Sequence, residues 1–159
     1  SPRRGNSFVT KKIVEQAVKI KNGRRDSIKL GNIYSKRDWG HAKDYVEGMW
    51  RMLQQDSPDD FVLATGEMHS VKEFIEIIFQ KLNLLLEWRG EGLDEQGFNP
   101  ETGDIYIEID PYYFRPTEVE LLLGDPRKAV NELNWKRNFS FSDLVEDMLN
   151  YELSLGKVL

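Results

Sequence analysis

Residues 61–82 read FVLATGEMHSVKEFIEIIFQKL, and two patterns in this stretch decide the fold class. Residues 61–65 are an unbroken apolar run of strand length, which predicts a strand buried on both faces. Ser70 and Glu73 stand three apart, just ahead of Phe74, Ile75, Ile78, Phe79 and Leu82. That spacing is a capping box before an apolar helix face, so a helix is expected to begin near Val71. A strand that runs on into a helix is the alternation of an α/β chain.

Working outward, the same alternation continues on both sides. Val9, Ile13, Ala17 and Ile20 recur at helical spacing, with Gly23 as a stop, which predicts a helix over 7–22. Residues 27–30 form a short strand candidate that runs into the turn pair Gly31-Asn32. A second helix is expected over 42–55, with Val46, Met49, Trp50 and Leu53 on one face, ended by Ser57-Pro58. Downstream, residues 84–88 read as a strand. Ile105, Ile107 and Ile109 alternate with Tyr106, Glu108 and Asp110, the period of a half-buried strand. Asp125-Pro126 opens a short helix to Leu133, and Phe141, Leu144, Val145 and Met148 make the last helix amphipathic. The strand count is low for a complete doubly wound sheet. Residues 90–104 are polar and long for an internal loop, which predicts a lid, a binding loop or an insertion.

The 159 residues carry 22 Lys+Arg and 27 Asp+Glu, a net charge of −5, and no Cys. The balance is uneven: residues 1–43 hold twelve Lys/Arg against three Asp/Glu, and the remainder ten against twenty-four. An acidic whole argues against nucleic acid or an anionic membrane as the partner, while a basic first quarter leaves room for a bound phosphate. The absence of Cys removes disulfide frameworks, thiol catalysis and Cys-based zinc sites. It also permits a reducing compartment, and a cytoplasmic setting is expected. No apolar run approaches a membrane span. The start at Ser1-Pro2-Arg3-Arg4-Gly5 has no initiator Met and no signal-peptide core, so it is expected to lie inside a longer chain.

No G-x-G-x-x-G, P-loop, G-x-S-x-G or Tyr-x-x-x-Lys pair is present, and His41 and His69 are not spaced as metal ligands. The basic residues are more informative. Arg3-Arg4 precede the first helix and Lys11-Lys12 fall near its amino-terminal turn, where backbone N–H groups and the helix dipole favour an anion. Lys36-Arg37-Asp38-Trp39-Gly40 pairs a guanidinium fork, suited to phosphate oxygens, with a flat aromatic wall. In Tyr112-Tyr113-Phe114-Arg115-Pro116-Thr117-Glu118, Arg115 could meet a second phosphate and Glu118 a ribose diol. On composition alone the competing reading is a set of solvated surface charges and an aromatic core edge.

The strings Ser1-Pro2-Arg3-Arg4-Gly5, Phe8-Val9-Thr10-x-Lys12-Ile13, Leu30-Gly31-Asn32 and Lys36 through Val46 closely resemble the GDP-mannose 4,6-dehydratase family. So do Ala64-Thr65-Gly66-Glu67, His69-Ser70-Val71, Arg115-Pro116-Thr117-Glu118-Val119 and Leu133-Asn134-Trp135-Lys136, in order and across the whole chain. The resemblance implies a single segment, 1–159, that is the carboxy-terminal substrate-binding part of an extended short-chain dehydrogenase/reductase. Its Rossmann half, with the dinucleotide fingerprint and the catalytic Thr, Glu and Tyr/Lys groups, would lie outside this sequence, so no catalytic residue is assigned here.

The implied reaction turns GDP-mannose into GDP-4-keto-6-deoxy-mannose and water with bound NADP, on the route to GDP-fucose. By the same resemblance Arg4 would contact NADP. Val9, Lys12, Leu30, Asn32, Lys36 and Arg37 would line the GDP-sugar site, with Arg115 and Glu118 closing it. The implied partners are the amino-terminal Rossmann half and further copies, as a homodimer or homotetramer. Two other readings stand beside this one: a non-catalytic nucleotide-sugar-binding module, and another nucleotide-sugar short-chain enzyme such as an epimerase or reductase. A chain without its sheet-forming half is expected to expose apolar faces of the first helix and of residues 61–65.

Overall fold

The computed structural model describes residues 1–24, 26–114 and 122–155. Helix α1 (Val9–Lys21) buries Ile13, Val14, Ala17, Val18 and Ile20 and closes over Gly23, whose φ of +89° suits glycine at a helix end. It leads into strand β1 (Ile28–Leu30), then the two-residue strand β2 (Lys36–Arg37) and helix α2 (Ala42–Met52). Strand β3 (His69–Ser70) pairs antiparallel with β2 and passes straight into helix α3 (Val71–Lys81). Strands β4 (Glu87–Arg89), β5 (Gln96–Phe98) and β6 (Ile105–Ile109) come next, then helices α4 (Arg127–Leu133) and α5 (Phe141–Leu155).

The main sheet has the order β1-β6-β5-β4. Its β1 and β6 run parallel, with Ile28 beside Ile107 and Leu30 beside Ile109, while β6, β5 and β4 are mutually antiparallel. Helices α1, α3 and α5 pack on one another, and α1 also packs on β1. One apolar core joins Ile13, Val14, Phe74, Ile75, Ile78, Phe79, Ile107 and Val145, all fully buried. The apolar face of α1 is therefore covered, against expectation, because α3 and α5 supply the partner it needs.

The start of α3 shows how cap chemistry fixes a neighbouring loop. Ser70 Oγ accepts from the Glu73 N–H at 3.0 Å, as the capping-box spacing predicts. Glu73 does not return to Ser70: its carboxylate takes His69 Nδ1 at 2.8 Å instead. The remaining first-turn N–H groups are satisfied by residues 33–35, with Val71 donating to Ser35 O and Lys72 to Ile33 O. That ties the loop between β1 and β2 to the helix.

Four other expectations are corrected. Residues 61–65 form no ladder among the described residues: only Ala64 is buried, and Val62 is 53% exposed. Their backbone is drawn elsewhere, since Thr65 N–H and Gly66 N–H both donate to the Asp38 carboxylate. The residue 90–104 stretch is not one long loop. It contains a 3-10 turn at Gly92–Asp94 and strand β5, and its charge is absorbed where buried Glu95 meets Lys72 Nζ at 2.8 Å and Tyr34 OH at 2.7 Å. The strand expected over 84–88 lies at Glu87–Arg89, in register with β5. Helix α4 begins at Arg127, with Asp125 Oδ1 accepting from the Arg127 N–H.

Helix α2 departs furthest. It ends at Met52, and its predicted apolar face points outward, with Val46, Met49, Trp50 and Leu53 between 57% and 82% exposed. The buried residues are Asp44 and Gly48. Asp44 turns to the 135–139 segment, where its carboxylate accepts from the N–H groups of Asn138 and Phe139 and its carbonyl from Trp135 Nε1 at 2.7 Å. A Cβ on Gly48 would meet the Leu63 methyls. Trp135, Leu133 and Ala129 form a second small core there with Tyr45, Met52, Phe61 and Leu63.

Candidate functional site

A cleft of about 470 Å³, within the range of ligand pockets, opens where α1, β1 and β2 meet. The first turn of α1 contributes Phe8, Val9 and Lys12; the end of β1 contributes Lys29, Leu30, Gly31 and Asn32. Ser35, Arg37, Trp39 and Val71 form the side fixed by the α3 anchor, and Tyr113 closes the top. Five residues singled out in the sequence (Val9, Lys12, Leu30, Asn32 and Arg37) therefore share one wall system.

Each polar group is held in place. Lys12 Nζ donates to Lys29 O at 2.7 Å and lies 3.9 Å from the Tyr113 ring centroid, so its charge stays at the cleft mouth. Asn32 Oδ1 accepts from the Tyr34 N–H at 2.9 Å, which leaves its amide NH₂ as the donor for a ligand. Arg37 Nη1 donates to Lys36 O at 2.7 Å. Phe8 is the amino cap of α1, with no side-chain cap and no acidic residue in the first turn, so the positive end of the helix dipole is not neutralised locally. The neighbouring Lys11 is different: it is buried and paired with Glu152 of α5, so one lysine of the doublet serves the core.

Trp39 lines both clefts and is braced by Phe74 and Phe141, with ring centroids 5.5 and 6.0 Å away. Beside it Asp38 is committed to residues 65 and 66, accepting from Thr65 N, Thr65 Oγ1 and Gly66 N at 2.7–3.1 Å. Gly31 is required for close approach rather than for a turn. A Cβ there would fall 2.7 Å from the Tyr113 carbonyl carbon, because the 110–114 strap crosses directly above it.

A second cleft, about 450 Å³, continues from the first through the shared residues Phe8, Val9 and Trp39. It is lined by Ser1, Arg3, Arg4, Asp38 and Tyr45, among others. The Arg4 guanidinium carbon lies 3.4 Å from the Phe8 ring centroid. Burial, and then the Asp38 charge, push the Tyr45 hydroxyl above its ordinary pKa near 10.

Lys36 is exposed and lines neither cleft, since it alternates with Arg37 along β2. Arg115 and Glu118 lie outside the described residues. Phe8, Ser35, Val71 and Tyr113 were not candidates. Tyr113 belongs to the aromatic run beside Arg115, a signal that could have found it, whereas Ser35 and Val71 reach the site only through long-range packing. Among the described residues no group of three or more His, Asp or Glu could hold a metal ion, and no helix is long and apolar enough to cross a membrane.

Residues 1–148 match the family model described as GDP-mannose 4,6 dehydratase. The chain is 54% identical over 157 residues to the GDP-mannose 4,6 dehydratase of Dictyostelium discoideum, covering 99% of this chain and 44% of that protein. It is 50% identical over 155 residues to that of Homo sapiens, covering 98% of this chain and 42% of that one. It thus spans less than half the length of these relatives. Among solved structures, RMD from Pseudomonas aeruginosa complexed with NADPH superposes with a TM-score of 0.78 at 17% identity, over 98% of this chain and 46% of that one. dTDP-glucose 4,6-dehydratase from Bacillus anthracis in complex with NAD gives 0.73 at 14% identity, over 99% and 43%. These two carry the fold alone, a mixed α/β arrangement. With the cleft residues in place and the family model matched over 148 residues, this chain belongs to the GDP-mannose 4,6-dehydratase family.

Proposed function

We propose that this chain forms the nucleotide-sugar-binding portion of a cytoplasmic GDP-mannose 4,6-dehydratase, which converts GDP-mannose to GDP-4-keto-6-deoxy-mannose and water. The observation that carries this reading is the convergence of Val9, Lys12, Leu30, Asn32 and Arg37 on one cleft of about 470 Å³. Lys12 and Arg37 supply positive charge for the diphosphate, the uncapped start of α1 adds its dipole, and the Asn32 amide offers donors. Trp39 and Tyr113 give flat surfaces that exclude water from a bound nucleotide.

The second cleft suits a phosphorylated dinucleotide at its Arg3-Arg4 end, where two guanidinium groups precede a first turn of α1 that holds no acidic residue. Bound NADP would supply the hydride acceptor and donor of the reaction. This chain's own residues bind and orient the two ligands. The acid/base groups are proposed to come from an amino-terminal half, which the greater length of the relatives supports. The bare stripe Val46, Met49, Trp50 and Leu53 is the surface we assign to that half, since an apolar stripe along a whole helix is unstable against water.

The test uses protein expressed from the complete coding region. Calorimetry should show saturable GDP-mannose binding, weakened about ten-fold or more in Arg37→Ala, with 4-keto-6-deoxy product found by mass spectrometry. Unchanged affinity in Arg37→Ala rejects the site. Binding with no product supports a non-catalytic module, and a different sugar product supports an epimerase or reductase.

A further inference from the structure

The two clefts meet at a residue to which neither the sequence nor the family comparison gives a role. Phe8 lines both. Two successive turns, Arg4 N–H to Ser1 O at 3.0 Å and Phe8 N–H to Gly5 O at 3.1 Å, fold the leading segment back. The fold-back stacks the Arg4 guanidinium on the Phe8 ring at 3.4 Å. The ring remains 46% exposed; Phe8 caps α1 through its backbone, so the helix fixes where the side chain starts and the ring is held by its contacts.

We infer that Phe8 is a positioning residue that couples the two clefts: it presents Arg4 to an anion in the second cleft while forming the wall against which a nucleotide packs in the first. The inference rests on the functional reading above. The physical logic has two parts. An Arg side chain in water surrenders much rotamer freedom when it grips a phosphate, and a ring that already holds the guanidinium removes part of that loss. A nucleotide in the first cleft that packs on the same ring fixes it, and through it Arg4. Each ligand then binds better when the other is present, and by linkage the factor is the same in both directions. A single exposed cation–π contact sets the scale at about three- to five-fold in affinity.

The experiment measures NADP affinity by calorimetry with and without saturating GDP, on protein from the complete coding region freed of bound nucleotide. Wild type should bind NADP about three- to five-fold tighter with GDP present. Phe8→Leu keeps apolar bulk but loses the ring, and its coupling factor should fall to about one while GDP alone still binds. Phe8→Tyr should restore the coupling, which a role in folding alone would not separate from Phe8→Leu. Arg4→Met should abolish the coupling even with the ring intact. Equal NADP affinity with and without GDP in wild type, or full coupling in Phe8→Leu, overturns the inference. Failure of wild type to bind GDP at all overturns the functional reading, and this inference falls with it.

Discussion

Replacing Gly31 by alanine tests whether the cleft is shaped by the close crossing of the 110–114 strap. A Cβ at this position falls 2.7 Å from the Tyr113 carbonyl carbon and 3.2 Å from the Phe114 nitrogen. Non-bonded carbons rest about 3.5–4.0 Å apart, so the strap has to retreat by about 1 Å. It is not free to do so cheaply. Asp110 N–H donates to Leu30 O at 2.7 Å, and Tyr112 N and Tyr113 N both donate back to Asp110, at 2.9 and 3.0 Å. Overpacking of this kind costs about 1–3 kcal/mol, and the anchored strap places Gly31→Ala near the middle, about 2 kcal/mol. For a chain of this size that is a fall in Tm of about 4–8 °C. The same retreat takes Tyr113 off Lys12, so GDP affinity should fall at least about five-fold. Gly103→Ala is the control: its φ of +76° strains an alanine, but no atom lies within 4 Å of the added Cβ. It should cost about 1 kcal/mol and leave GDP affinity unchanged. Denaturant melts and calorimetry on both variants decide the matter. If Gly31→Ala retains full affinity, or costs no more than Gly103→Ala, the strap does not shape the cleft.

Three further outcomes are expected. Lys72→Met strands the Glu95 carboxylate, only 4% exposed, with Tyr34 OH as its remaining donor; the cost should be about 2–3 kcal/mol, and Lys72→Met/Glu95→Leu should recover most of it in urea melts. Lys72 itself is held in its charged form: burial opposes the charge, but its hydrogen bonds to Glu95 and Tyr34 outweigh that and raise its pKa. Arg137 hydrogen-bonds both Glu67 oxygens and lowers the Glu67 pKa, so this pair adds stability above the ordinary value of 4.5 and loses it as pH falls through the depressed value. With Glu67 49% exposed, Arg137→Met should cost at most about 0.5 kcal/mol at pH 7 and progressively less as pH falls below the ordinary 4.5, checked by melts from neutral into acid pH. Trp50→Glu should lower the Tm of protein from the complete coding region while changing this segment's own packing little, since Trp50 is 59% exposed; an unchanged Tm removes α2 as the docking face.

The sequence was legible wherever a local pattern had a local cause. The period of α1 and α5, the alternation in β6 and the Ser70 cap all appear as expected, because 3.6- and 2-residue repeats and cap chemistry act within a few residues. The misreadings share a different cause. Residues 61–65 are apolar enough for a strand, but the N–H groups of Thr65 and of Gly66 just after it are claimed by Asp38, 27 or more residues away. The polar stretch 90–104 hides β5 because Glu95, which reads as solvent-facing, is neutralised by Lys72 and Tyr34. Gly31 reads as a turn residue and is a point of contact with residue 113. In the site, the basic residues at the start of α1 were visible from charge and helix position, whereas only packing separates Lys12, at the cleft, from Lys11, against Glu152.

Helix α2 carries the larger lesson about what periodicity reports. Its stripe Val46, Met49, Trp50 and Leu53 has the spacing of a core face, yet the side turned to this chain's own interior holds Asp44 and Gly48. That inversion is not a packing accident. Buried Asp44 accepts from the N–H groups of Asn138 and Phe139, and Gly48 leaves room for the Leu63 side chain. The inner side of the helix is thus specified by this chain, and the outer stripe is the face proposed above for an amino-terminal half. The chain also spans only 44% of its Dictyostelium relative, which agrees with that proposal. The basic first quarter fits the same logic. Its Arg3, Arg4, Lys12 and Arg37 gather along two joined clefts, while the acidic remainder supplies partners such as Glu152 and Glu95 that keep the core charges balanced.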